Sequence, residues 1–125
     1  MGYYTRLNIK IKLSPNTPPE IINALSIWTR FGGDEITFDH ELFKCRRWLS
    51  LFCATNGEDI KGGELLRRGN YWVLDLEVEF KDCDCEISKF VDWIHPYVAG
   101  RKKKQYIGYY QGEDQDSQCN LYVER

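Results

Sequence analysis

The strongest constraint on this chain is the alternation over residues 70–81. Trp72, Leu74, Leu76, Val78 and Phe80 take every second position, and Asp75, Glu77, Glu79 and Lys81 fall between them. A period of two places one set on each face of a β-strand, so one face is buried and the other wet. Residues 3–13 repeat the pattern, with Leu7, Ile9, Ile11 and Leu13 set against Arg6, Asn8, Lys10 and Lys12. Half-wet strands of this kind belong to sheets with one face on the core and one in water. If the two strands are neighbours, the acidic face of one lies beside the basic face of the other. Cross-strand ion pairing then accounts for both patterns without invoking acid–base chemistry.

Two segments switch to helical spacing. Thr17-Pro18-Pro19-Glu20 predicts a helix start, with Thr17 as the cap, Pro18 at the first helical position and Glu20 closing a capping box. Ile21, Ile22, Leu25, Ile27 and Trp28 form its apolar stripe, and Gly32-Gly33 ends it. Ile87, Phe90, Val91 and Ile94 predict a second helix over about 85–95, capped by Asp82 or Asp84 and closed near Pro96. Asp39 is expected to cap a short helix through His40-Glu41-Leu42-Phe43-Lys44. Residues 47–54 read as a strand, Asn56-Gly57-Glu58-Asp59 as a loop or hairpin turn, and Gly62-Gly63 as a break. Residues 105–111 and 119–124 read as short strands joined by a polar loop. The order β, α, β, β, α, β plus a last strand predicts an α+β fold. It resembles a ferredoxin-like βαββαβ sandwich with an extra C-terminal hairpin strand, its antiparallel or mixed sheet covered by two helices. One domain over residues 1–125 is expected, because 125 residues suffice for one core and not for two.

Composition narrows the function. Four Trp, eight Tyr and six Phe argue against disorder. The net charge of -2 lacks the basic excess of a general nucleic-acid binder. No apolar run approaches a membrane span, and Met1-Gly2-Tyr3-Tyr4-Thr5-Arg6 holds neither a signal-type apolar stretch nor the Ser or Thr that a myristoylation motif wants at position 6. Five cysteines, an odd number without an export signal, predict reduced thiols and a cytoplasmic setting.

The candidate chemistry is thin. Cys83-Asp84-Cys85 is tighter than a zinc knuckle, and adding His40 and Cys45 supplies no second paired-ligand motif, so no metal is expected. The loop Glu113-Asp114-Gln115-Asp116-Ser117 fails the calcium pattern: counted from Asp114, position six is Cys119 and position twelve is Arg125. His40 and His95 belong to no triad, and Leu42 and Tyr97 stand two residues after them, so there is no paired H-x-[ST] motif. G-x-S-x-G, P-loop, H-E-x-x-H and G-x-G-x-x-G are absent. No catalytic residue and no cofactor is therefore expected. Trp28, Trp48, Trp72 and Trp93 are expected to pack between helices and sheet. One fragment mixes cations with aromatics: Arg101, Lys102, Lys103 and Lys104, followed by Tyr106, Tyr109 and Tyr110. These seven residues are the candidate binding set, by phosphate contact and base stacking. Four cations after a helix also suit its dipole and keep a strand edge soluble.

Met1-Gly2-Tyr3-Tyr4, Glu86-Ile87-Ser88-Lys89-Phe90-Val91-Asp92-Trp93-Ile94-His95-Pro96-Tyr97 and Tyr106-Ile107-Gly108-Tyr109-Tyr110-Gln111-Gly112-Glu113 resemble small proteins of unknown function from bacteria and their phages or prophages. The resemblance lies mainly in the second half of the chain, leaves out residues 32–66, and implies a cytosolic, mobile-element origin without implying an activity. The expected function is a non-enzymatic protein-binding or modulator module, with a homo-oligomer also open and no membrane partner. The alternative is a single-stranded nucleic-acid binder using the basic–aromatic fragment.

Overall fold

The computed structural model describes residues 4–54, 60–81 and 85–125. Their elements are β1 (Thr5–Lys12), α1 (Pro19–Arg30), α2 (Ser50–Cys53), β2 (Gly62–Arg68), β3 (Tyr71–Phe80), α3 (Glu86–Ile94), β4 (Lys104–Gly112) and β5 (Cys119–Glu124). Single 3-10 turns add Glu41–Lys44 and His95–Tyr97. The fold is α+β, with one five-stranded sheet in the order β2-β3-β1-β4-β5. Every neighbouring pair is antiparallel, so the sheet is not mixed.

β1 lies at the centre. Its register sets Leu7 opposite Val78, Ile9 opposite Leu76 and Ile11 opposite Leu74, so the apolar rows of both strands share one face. These six side chains are essentially inaccessible. All three helices pack on that face. Ile21, Ala24, Leu25 and Trp28 of α1, Leu51 and Phe52 of α2, and Ile87, Phe90, Trp93 and Ile94 of α3 join the same core cluster. The result is two layers, with the opposite sheet face left open.

Trp28 is the centre of the helical layer. Its ring meets Phe38, Phe43, Trp48, Phe52 and Trp93 at centroid separations between 4.9 and 5.9 Å. Its indole Nε1 donates to the Ile36 carbonyl at 3.1 Å, so the one polar atom of this buried ring is satisfied. Trp48 and Trp93 are buried with it, whereas Trp72 stays half-buried at the margin.

Several local expectations need correction. Residues 47–54 are not a strand. They form turns leading into α2, because the buried Trp48, Leu51 and Phe52 repeat at i, i+3 and i+4 rather than at every second position. The second strand is instead β2, beginning at the Gly62-Gly63 read as a break. Gly63 lies against the Phe52 carbonyl where a Cβ would collide, so this pair marks close approach of α2 to the strand rather than its end. The sheet is therefore covered by three helices, not two. Thr17 does not cap α1. It donates from Oγ1 to the Ser14 carbonyl at 2.7 Å, and the cap is Pro18, whose carbonyl accepts from the Ile21 N–H. The Glu41–Lys44 turn is capped by His40 rather than Asp39. At the far end of α1 the expectation holds: Gly32 sits at φ +67° and its N–H reaches the Ile27 carbonyl, closing the helix. Asp82, Asp84 and the 56–59 loop lie outside the described residues.

Candidate functional site

The open sheet face is built from the polar rows. The register puts Arg6 opposite Glu79, Asn8 opposite Glu77 and Lys10 opposite Asp75. Arg6 pairs with Glu79 at 3.3 Å, as cross-strand neighbours of opposite charge should. Asp75 is instead claimed by Lys61, at 2.8 Å, which also reaches Glu64 at 3.3 Å. Hydrogen bonding to Asp75 raises the Lys61 pKa above its ordinary value. Lys12 stands 3.9 Å over the Tyr71 ring. An acidic strip on β3 thus runs beside the central strand, and Arg6 and Lys61 pair with two of its three carboxylates, Glu79 and Asp75.

The candidate binding set lies toward the β4–β5 side and divides between the two faces. Arg101, Lys102, Lys103 and Lys104 are all exposed, and none meets a carboxylate among the described residues. Their backbone is held from behind. Arg125 donates from Nη1 to the Lys102 carbonyl at 2.7 Å and to Gln105 Oε1 at 2.9 Å, and from Nη2 to the Val98 carbonyl at 3.0 Å. Lys104 lies 4.6 Å over the Tyr122 ring, and Tyr106 meets the same ring edge-on at 5.8 Å. Tyr106 is 52% exposed, which makes it the most accessible tyrosine of the candidate set. Tyr109 lies opposite Asn8 on β1, and its hydroxyl accepts from Asn8 Nδ2 at 3.3 Å. Tyr110 is opposite the buried Leu7 and packs against the core, so it belongs to the other face. The open face therefore carries Lys104, Tyr106, Tyr109 and, unforeseen, Tyr122, while Tyr110 parts from them.

The titratable groups are engaged in holding the fold. His40 Nδ1 accepts the Leu42 N–H at 3.0 Å, so the proton of the neutral ring sits on Nε2, which donates to Asp92 at 2.8 Å. Both nitrogens are spent, pinning the 41–44 turn to α3, and no lone pair is left for a general base. His95 Nε2 is enclosed without a hydrogen-bonding partner among the described residues. Cys45 receives Lys89 Nζ at 3.5 Å and donates to the Glu41 carbonyl at 3.7 Å. Cys53 is half-buried, and that burial raises its thiol pKa. Cys45, Cys53, Cys85 and Cys119 are free thiols, and Cys83 lies outside the described residues. Among the described residues no three His, Cys, Asp or Glu side chains converge on a metal position, and no helix is long and apolar enough to cross a membrane. The 113–117 loop is closed on itself, with Gln115 Oε1 accepting the Gly112 N–H at 3.0 Å and its carbonyl accepting from Gln111.

A cavity of about 520 Å³ lies elsewhere, between the start of α1 and the β2–β3 turn. Arg67, Trp72, Asn23 and Ser26 help line it, and the Arg67 guanidinium lies 5.2 Å over the Trp72 ring. The sequence reading passed over this site because it placed no strand at 62–68. The signal available was Leu65-Leu66 followed by two arginines. Compared with protein-family models, curated proteins and solved structures, the chain matches none.

Proposed function

We propose that this chain is a non-enzymatic protein-docking module that engages its partner through the sheet. The observation that carries the reading is a sheet helix-covered on one side only, with β2 and β5 paired on one edge each. Unpaired strand edges and open sheet faces are recurrent places for a partner chain to add. The ion pairs and hydrogen bonds of His40, Asp92, Arg6, Glu79 and Lys61 are spent on structure, which supports a binding role over catalysis. The order β4-β1-β3-β2, with β5 added outside β4, supports a ferredoxin-like framework. Four free thiols support a reducing cytoplasm, and the sequence resemblance supports a bacterial or phage origin.

The test is affinity capture of the tagged protein from bacterial lysate, split into nuclease-treated and untreated halves. A specific protein retained in both halves is the expected result. Recovery of no specific protein in either half overturns the reading.

One observation favours a second reading, single-strand nucleic-acid binding: exposed Tyr106 beside Lys104 and the unpaired run Arg101–Lys103. The acidic strip of Asp75, Glu77 and Glu79 along the same face opposes it, since phosphate contact dominates such binding. A gel shift with a U-rich 12-mer at low salt decides. A complex that disappears when Arg101, Lys102, Lys103 and Lys104 become Ala would replace the first reading with the second.

A further inference from the structure

We propose that the free edge of β2 and the neighbouring face of α1 form a docking groove for an extended, acidic segment of a protein partner. The proposal rests on the protein-docking reading and says where, and by what chemistry, docking occurs.

Two hollows lie in line along α1. At one end, the cavity beside Arg67 is walled by Asn23 and Ser26 of α1. At the other, a smaller hollow of about 260 Å³ is walled by Ser26 and Arg30 of the helix and by Gly63, Glu64, Leu65 and Leu66 of β2. Ser26 lines both hollows, so they lie side by side along the helix. α1 runs antiparallel to β2 along this path, which places Arg67 at one end and Arg30 at the other. The β2 wall is formed by consecutive residues rather than alternate ones. Side chains of one sheet face would contribute every second residue, so the groove meets β2 along its backbone edge. At an edge, every second residue turns its N–H and C=O away from the sheet, which is the donor and acceptor pattern that an added strand needs.

Charge decides the occupant. Neither Arg30 nor Arg67 is paired with a carboxylate among the described residues. The acid on this wall, Glu64, is already held by Lys61. Arg67 is also preorganised. Its Nε donates to the Gly69 carbonyl at 2.9 Å while its guanidinium plane lies over Trp72, which leaves the terminal nitrogens to receive a carboxylate. Between the two arginines, Leu65 and Leu66 offer apolar contact. A segment of about five residues, at roughly 3.3 Å per residue, spans Gly63 to Arg67. Acidic residues at its ends and apolar ones between match the groove.

The test measures fluorescence anisotropy of two labelled hexapeptides, one with Glu at both ends and Val between and the other with Lys in place of each Glu. The expected result is saturable binding of the acidic peptide alone. Replacing Arg67 with Ala weakens it about tenfold or more, Arg67→Lys less, and N-methylation of alternate peptide amides abolishes it. Arg67 is exposed, so the variants should fold, and a matching thermal melt verifies it. Charges that served only to keep the edge from associating would bind neither peptide, and that outcome overturns the proposal. So does equal binding of both peptides, or acidic-peptide binding indifferent to Arg67. If the acidic peptide fails while lysate capture still returns a nuclease-resistant protein, the groove is wrong and the docking module stands. If both fail, both readings fall.

Discussion

The two faces of the sheet use the same strands for opposite ends. On the covered face, Leu7, Ile9, Ile11, Leu74, Leu76 and Val78 lie against helices and are lost to solvent. On the open face, the intervening residues are held by ion pairs: Arg6 of β1 to Glu79 of β3, and Lys61, just before β2, to Asp75 of β3. Burial of an aliphatic or aromatic side chain contributes several times what an exposed ion pair does. Stability is thus concentrated on one side of a single layer, and the other side and its edges remain available for contact. A docking surface can change there without endangering the fold.

Four measurements break or sharpen this contrast. The largest effect belongs to the covered face. Trp28→Ala removes the ring around which Phe38, Phe43, Trp48, Phe52 and Trp93 are arranged. It is expected to cost about 3–5 kcal/mol by urea denaturation, or about 10 °C or more in Tm. Next comes Gly108→Ala in β4. Gly108 sits at φ +152°, and a Cβ there would collide with the Asn8 carbonyl of β1. A loss of about 1–3 kcal/mol is expected in the same assay.

The third effect is alkaline. Cys53 has its pKa raised above 9.0 by burial, and Lys61 has its own raised above 10.5 by its bond to Asp75. Both groups hold their protons more tightly folded than unfolded. Their contribution is complete below the unfolded values and is lost as pH rises through the folded ones. Tm should fall as the pH rises above about 9, and Cys53→Ala should flatten the first part of that fall. The smallest effect belongs to the open face. Arg6→Ala breaks the pair with Glu79, and Arg6 is 49% exposed, so the expected cost is about 0–1 kcal/mol. An Arg6→Ala loss rivalling that of Trp28→Ala would erase the distinction between the faces.

The same contrast explains what the sequence disclosed. β1 and β3 are central strands with one wet face, so their residues must alternate, and both were legible from Leu7 and Trp72 onward. α1 and α3 each bury one stripe, and a helical period follows. β2 is an edge strand whose residues Gly63, Glu64, Leu65 and Leu66 are all half-exposed, so no alternation is imposed on it. Its neighbour α2 has four residues, and the single i, i+3, i+4 repeat of Trp48, Leu51 and Phe52 is masked in the sequence by the other apolar residues of the run, Leu49, Cys53 and Ala54. The basic run and Tyr106 were found by composition alone. The facing of Tyr110 depended on the register with Leu7, and the Arg67–Trp72 contact depended on a strand whose one signal, Leu65-Leu66 before two arginines, shows no alternation.

The central place of β1 also sets a timetable. Its apolar row finds its first partner at Val73–Phe80 and its second at Gly108–Gly112, far down the chain. At about 5–20 residues per second of synthesis, Leu7, Ile9 and Ile11 leave the ribosome several seconds before either neighbour exists. During that interval the strand that will be the best protected in the molecule is its most exposed adhesive segment. The β2–β3 and β4–β5 hairpins pair locally, but completing the sheet around β1 needs contacts of long sequence separation, which slow folding. A nascent chain stalled before residue 80 should be captured by holding chaperones, whereas one stalled after residue 112, with both partner strands clear of the exit tunnel, should escape them.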